Sequence, residues 1–225
     1  MIHRLRETSS TMKDATALAA QGSPHGTTVV AERQSAGMGR HGHSWHSEDK
    51  GGLYLSIILR IPGIGPFVTL ALGLAVQEAL QEVAGVSADL RWPNDVMLNE
   101  RKVAGILVQA VDDALIAGIG INVNQQHFPT DLGEVATSVY LETGQTFHLE
   151  TVLQRVIVLS LHHCKLPRPD ILRKFEECSS YARGKAVEVE GILGVTMGLD
   201  KDGFLLMKTA WGMKTVTAGG VRPAK

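Results

Sequence analysis

The stretch from Glu32 to Trp45, reading ERQSAGMGRHGHSW, holds the residues of this 225-residue chain best suited to gripping an anion. Gly37, Gly39 and Gly42 surround Arg40 and follow the β-rich run Thr27-Thr28-Val29-Val30-Ala31. A strand should therefore hand over to a loop able to take positive φ more than once, and such a backbone can turn its N–H groups towards negative charge. Gly37-Met38-Gly39-Arg40-His41-Gly42 also has the form GxGxxG, but that dinucleotide signature needs a helix directly after the glycines and an acidic residue about 20 positions on. A polar, turn-rich segment follows instead, which leaves a plain glycine-rich hairpin loop and an anion-binding loop in competition. His41, His43 and His46 crowd the loop without the i, i+4 spacing of a helical zinc pair.

Lys102 follows the hairpin-like Asn99-Glu100-Arg101 and opens the run Val103-Ala104-Gly105-Ile106-Leu107, in which Gly105 marks a place where something approaches the backbone closely. It reads either as a surface lysine or as a point charge for an anion. Asp95, in Arg91-Trp92-Pro93-Asn94-Asp95, reads either as an Asx turn after the proline or as a working carboxylate. Asn122 and Asn124 close the glycine-punctuated run Leu115–Asn124, and Ser10 and Thr11 are either helix caps or hydroxyls for a polar ligand head.

The elements that must position these groups follow from periodicity. A short helix should start at Ser10 or Thr11 and stop before Gly22 and Pro24. Leu53–Leu59 is a buried strand, and Phe67–Val83 is apolar almost all round its first turns, hence a core helix. Two short strands should flank Pro93, with longer ones over Lys102–Gln109 and Leu115–Asn124. Helices follow over Glu150–Cys164 and Pro169–Cys178. After Tyr181, short apolar runs broken by Asp-Gly and Gly turns mark a small all-β module.

Bulk properties exclude several classes. With 22 basic and 23 acidic residues the net charge is −1 and no basic block suits a nucleic-acid backbone. No uncharged apolar run of membrane-spanning length occurs, and Met1–Arg6 lacks the apolar core of a signal peptide. The expectation is a cytoplasmic protein with no nucleic acid or membrane as partner, whose two cysteines, Cys164 and Cys178, are inert thiols.

ERQSAGMGRHGHSW, RWPNDVMLNERKVAGIL, GIGINVN and ATS, in that order and spacing, resemble the biotin–protein ligase family over essentially the whole chain. The resemblance implies an α+β fold: a mixed β-sheet with flanking helices over residues 1–182, then a small SH3-like β-barrel over 183–225. Because the first motif lies at Ser10-Thr11, it also implies a monofunctional enzyme without an N-terminal DNA-binding domain. The implied activity consumes biotin and ATP with Mg²⁺, forms biotinoyl-AMP, and biotinylates a lysine of a biotin carboxyl carrier domain. Members of that family are often dimers and a sheet edge could supply the interface of a homodimer; the sequence does not fix the oligomeric state.

Carried onto this sequence, the family pattern implies catalytic roles for Lys102, Arg40 and Asp95, with Asp95 also the Mg²⁺ ligand. Ser10, Thr11, Gln34, Gly37, Met38, Trp45 and Gly105 would join Arg40 and Lys102 around biotin. His41, Gly42, Trp45 and Asn122 would join the same two cations around the adenylate. The rival readings are a lipoate or octanoate ligase or transferase and a non-catalytic biotin-binding module. Two departures stand out: Met38 and His43 replace arginines common in the family loop, and Gly220 stands where relatives often carry an acidic residue.

Overall fold

The computed structural model describes residues 1–47 and 51–224. Seven strands form the main sheet: β1 (Ile2–Thr8), β2 (Thr28–Gln34), β3 (Gly52–Leu59), β4 (Asp89–Arg91), β5 (Asp95–Leu98), β6 (Arg101–Val111) and β7 (Ala114–Asn122). Their order is β1-β2-β3-β7-β6-β5-β4, with β1 parallel to β2 and every other pair antiparallel. The edge strand β1 and the five-residue helix α3 (Val139–Thr143) escape the periodicity reading, because one is half exposed and charged and the other is a single turn.

Both faces of the sheet are covered, which is why all eight residues of β3 are buried. Leu55, Ile57 and Leu59 join the large core under α2 (Phe67–Ala84), α4 (Leu149–His163) and α5 (Arg168–Glu177). On the other face Ile58 joins Val29 and Ile116 beneath Met12, Ala15 and Ala19 of α1 (Thr11–Ala20). Helix α2 is long and apolar enough to cross a membrane by length and composition alone, yet most of it is buried in this core. Burial pushes the Cys164 thiol up to about 12 and raises that of Cys178, so neither is a ready nucleophile.

A second, antiparallel sheet starts at Arg183: β8 (Arg183–Val189), β9 (Ile192–Leu199), β10 (Leu205–Thr209), β11 (Gly212–Val216) and β12 (Arg222–Pro223), in the order β11-β10-β9-β8-β12. The Trp92 indole donates to the Gly203 carbonyl (3.0 Å) and the Val221 N–H donates to the Trp92 carbonyl (3.4 Å). These two bonds clasp the second sheet to the proline turn before Asp95.

The start of β6 is held by a carboxylate. Glu142 accepts from Thr137 Oγ1 (2.5 Å), Arg101 Nη2 (2.6 Å) and Asn99 Nδ2 (2.5 Å). Burial alone would raise its pKa, but the hydrogen bonds from Thr137 and Asn99 and the Arg101 charge outweigh it, leaving it below the ordinary value of 4.5. A carboxylate depressed on folding contributes stability above its unfolded pKa and loses it as pH falls through the folded one. Glu142→Gln should therefore lower the unfolding free energy by about 1–3 kcal/mol at neutral pH. In urea titrations the deficit should shrink as the pH falls below the ordinary carboxylate value of 4.5; a deficit independent of pH would contradict this role.

Candidate functional site

Period-2 alternation sets Gly118 and Gly120 of β7 on the face opposite the large core, and Gly105 of β6 is the cross-strand partner of Gly120. The result is a patch of bare backbone in mid-sheet. Trp45 lies on it: a Cβ on Gly120 would fall 2.4 Å from Trp45 Cε2, and one on Gly105 would fall 2.9 Å from Trp45 Cζ3. At the next step along β7 the Met12 Sδ would stand 2.5 Å from a Gly118 Cβ. Trp45 is fixed by its N–H to the Gly37 carbonyl (2.9 Å), and its buried indole N–H has no partner among the described residues.

Lys102 reaches the same patch through a bulge. Val96 pairs with Ala104, whereas the next residue, Met97, pairs with Lys102, so Val103 is an extra residue in β6. Three residues apart on a regular strand, Lys102 and Gly105 would face opposite ways; one inserted residue restores the parity. The Lys102 Cε accordingly lies 2.9 Å from a Gly105 Cβ position, and its Nζ is 5.7 Å from the Trp45 ring centroid. Nζ meets Asp95 Oδ1 at 2.5 Å, an ion pair whose angles fall outside hydrogen-bond geometry. The carboxylate of Asp95 thus faces a lysine instead of closing an Asx turn.

Arg40 sits in a single turn of 3₁₀-helix, Arg40–Gly42, where His41 has φ 55°. The long helix required of a dinucleotide loop does not form. Arg40 Nη1 donates to Asn94 Oδ1 (2.9 Å) and to the Gly219 carbonyl (3.0 Å). Both acceptors are neutral, and no carboxylate among the described residues pairs with this guanidinium.

At the other end of the slot the groups are uncharged. Gln34 Oε1 accepts from the Thr11 N–H (2.9 Å) and Thr11 Oγ1 (3.2 Å), Gln34 Nε2 donates to Ser47 Oγ (3.2 Å), and Thr11 Oγ1 lies 2.8 Å from Ser56 Oγ. A donor and acceptor array of this kind suits an amide-like or urea-like head.

Two cavities flank the Trp45–Lys102 pair. One, of about 50 Å³, is lined by Thr11, Gln34, Met38, Arg40, Gly105 and neighbours. The other, of about 160 Å³, is lined by Asn122, Phe128, Val135 and neighbours, and both have Trp45 and Lys102 as a shared wall. Small-molecule sites usually exceed ~300 Å³, so a ligand spanning both must shift this wall.

Of the residues singled out from sequence, Thr11, Gln34, Met38, Arg40, Trp45, Lys102 and Gly105 converge on the first cavity, with Asp95 behind Lys102. Ser10 does not line it: the residue is fully buried and its hydroxyl has no partner among the described residues. Gly37 instead packs on the Trp45 backbone. His41 and Gly42 lie exposed along an outer groove of the loop. Asn122 lines the second cavity, but its amide is already engaged, with Nδ2 donating to the Thr137 carbonyl and Oδ1 accepting from Gln125 Nε2. Met38 packs against the Met12 cluster and acts as an apolar wall.

Three participants escaped the sequence reading. Asn94 gives no signal beyond a turn, Gly120 looks like one strand glycine among several, and Gly219 lies far away in the sequence.

A model described as "Biotin/lipoate A/B protein ligase family" matches residues 3–126, more than half of the chain. The chain is 37% identical to the bifunctional ligase/repressor BirA of Bacillus subtilis, over 95% of this chain and 71% of that protein. It is 29% identical to the biotin–[acetyl-CoA-carboxylase] ligase of Mycobacterium tuberculosis, over 96% and 86%. It also superposes on the Aquifex aeolicus biotin protein ligase in complex with biotin and ATP with a TM-score of 0.89, at 34% identity and 99% coverage of both chains. Fold and site together define a ligase built on the biotin protein ligase fold, with a small C-terminal β-domain. The chain belongs to the biotin/lipoate A/B protein ligase family.

The glycine floor makes a ligand-independent prediction. Gly120→Ala should expel the Trp45 ring, shifting tryptophan emission to the red by several nanometres. The unfolding free energy should fall by less than about 2 kcal/mol, because a loop and not the core gives way. Unchanged emission would show that Trp45 does not rest on this strand.

Proposed function

We propose that this enzyme activates biotin with ATP and transfers it to a lysine of a biotin carboxyl carrier domain, such as that of acetyl-CoA carboxylase, in the cytoplasm. The observation that carries the reading is the Lys102 ammonium, set by a bulge and an ion pair at the head of an uncharged slot, with Arg40 alongside. In the first step a biotin carboxylate oxygen bonds to the α-phosphorus of ATP and the bond to pyrophosphate breaks. Two unit negative charges at 4 Å repel by ~4 kcal/mol at an effective dielectric of about 20, so fixed cations must offset them. Lys102 would bridge the two anions, and Arg40 would act on the phosphate side. In the second step the carrier amine attacks the acyl carbon, AMP leaves, and the amine loses a proton.

The uncharged end, Thr11 and Gln34, suits a ureido ring, where an unpaired buried group would cost about 1–3 kcal/mol. Trp45 would cover the ligand. Magnesium would suit the carboxylate of Asp95, because Mg²⁺ is commonly held by one or two carboxylates with substrate phosphates and water. There it would neutralise phosphate charge.

Lys102→Ala should abolish biotin-dependent ATP–pyrophosphate exchange by about 10²–10³-fold while leaving biotin affinity within severalfold. Exchange driven by lipoate and not biotin would favour the lipoate reading. Retained exchange in the variant would remove Lys102 from the chemistry, and biotin binding without exchange in the wild type would leave a binding module.

A further inference from the structure

Arg40 is held from outside its own loop. One nitrogen, Nη1, carries both described bonds, to Asn94 and to the Gly219 carbonyl, so the rest of the guanidinium has no described partner. Asn94 is itself fixed on β6: its Nδ2 donates to the Ile106 carbonyl (3.1 Å), and the Ile106 N–H returns to the Asn94 carbonyl (3.0 Å). Gly219 is buried, with φ 112°, and a Cβ there would meet Glu190 Cγ at 2.6 Å and Val189 Cγ1 at 2.8 Å. The direction of its carbonyl therefore depends on a residue without a side chain, backed against the end of β8. Two residues on, the Val221 N–H reaches the Trp92 carbonyl, so this segment is registered against the turn that carries Asn94.

We infer that the turn between β11 and β12 is a positioning element for the nucleotide step, with the Gly219 carbonyl and Asn94 together setting where Arg40 presents its charge. The consequence for nucleotide rests on the activity proposed above; the contact itself does not. A glycine loop alone could not fix an arginine, since its backbone has too many accessible conformations. A neutral carbonyl can hold the guanidinium without cancelling the charge needed by a phosphate.

The test compares Gly219→Ala with Gly220→Ala in the full chain, because Gly220 is exposed with no atom of the described residues within 4 Å of its Cβ position. In the protein without substrates, amide hydrogen exchange at His43 and Trp45 should accelerate about tenfold in Gly219→Ala only. In biotin-dependent exchange the same variant should raise the KM for ATP about five- to tenfold with biotin affinity unchanged, and in an Arg40→Ala background it should add no further effect. If the wild type shows no biotin-dependent exchange, the functional reading fails, and the amide exchange still decides the contact. Loop protection and ATP KM equal to those of Gly220→Ala, or an undiminished Gly219→Ala effect without Arg40, would overturn the inference.

Discussion

On the proposed reading Lys102 serves two mutually repelling anions, which requires its position to be set before they arrive, and in this fold a single extra residue sets it. Val103 bulges out of β6, and Lys102 thereby shares a face with Gly105 and Gly120 instead of pointing into the core beneath α2. Asp95 then holds the ammonium at 2.5 Å. Glu142, gripping Arg101 and Thr137, pins the strand on the near side of the bulge. Remove the bulge and every other feature of the site remains, with its charge on the wrong face.

The second constraint is the absence of side chains. Trp45 and Lys102 need the space that Cβ atoms on Gly105 and Gly120 would occupy, and a glycine in mid-strand lowers β stability. The sheet tolerates the loss because its opposite face is continuous with the large core, where Ala104, Ile106, Ile119 and Ile121 are buried. Stability is drawn from one face and access granted on the other, and the same two strands supply both.

Much of this was legible in the residues. The limits of α1, β3 and α2 follow from apolar period and from Gly and Pro stops, and they lie within a residue or two of the observed ends. The convergence of Thr11, Gln34, Arg40, Trp45, Lys102 and Gly105 was implied by the family resemblance that their motifs carry. Three things were not. A bulge leaves no mark in a strand pattern, since Lys102 and Gly105 are simply three residues apart. Ser10 looks like a ligand hydroxyl in sequence, but its N-cap position turns it inward. Asn122 looks free, but Thr137 and Gln125, brought close by the chain beyond β7, occupy its amide. Each depends on contacts that local pattern does not encode.

On the proposed reading Lys102 is a charge that exchanges partners, from Asp95 alone to the two substrate anions. A structure determined with biotin and a non-hydrolysable ATP analogue tests this directly. The account predicts the Lys102 ammonium between the biotin carboxylate and the α-phosphate, with the ligand lying between Trp45 and the glycine floor or alongside the ring. Both anions bound elsewhere, with Lys102 still closed on Asp95 alone, would contradict it.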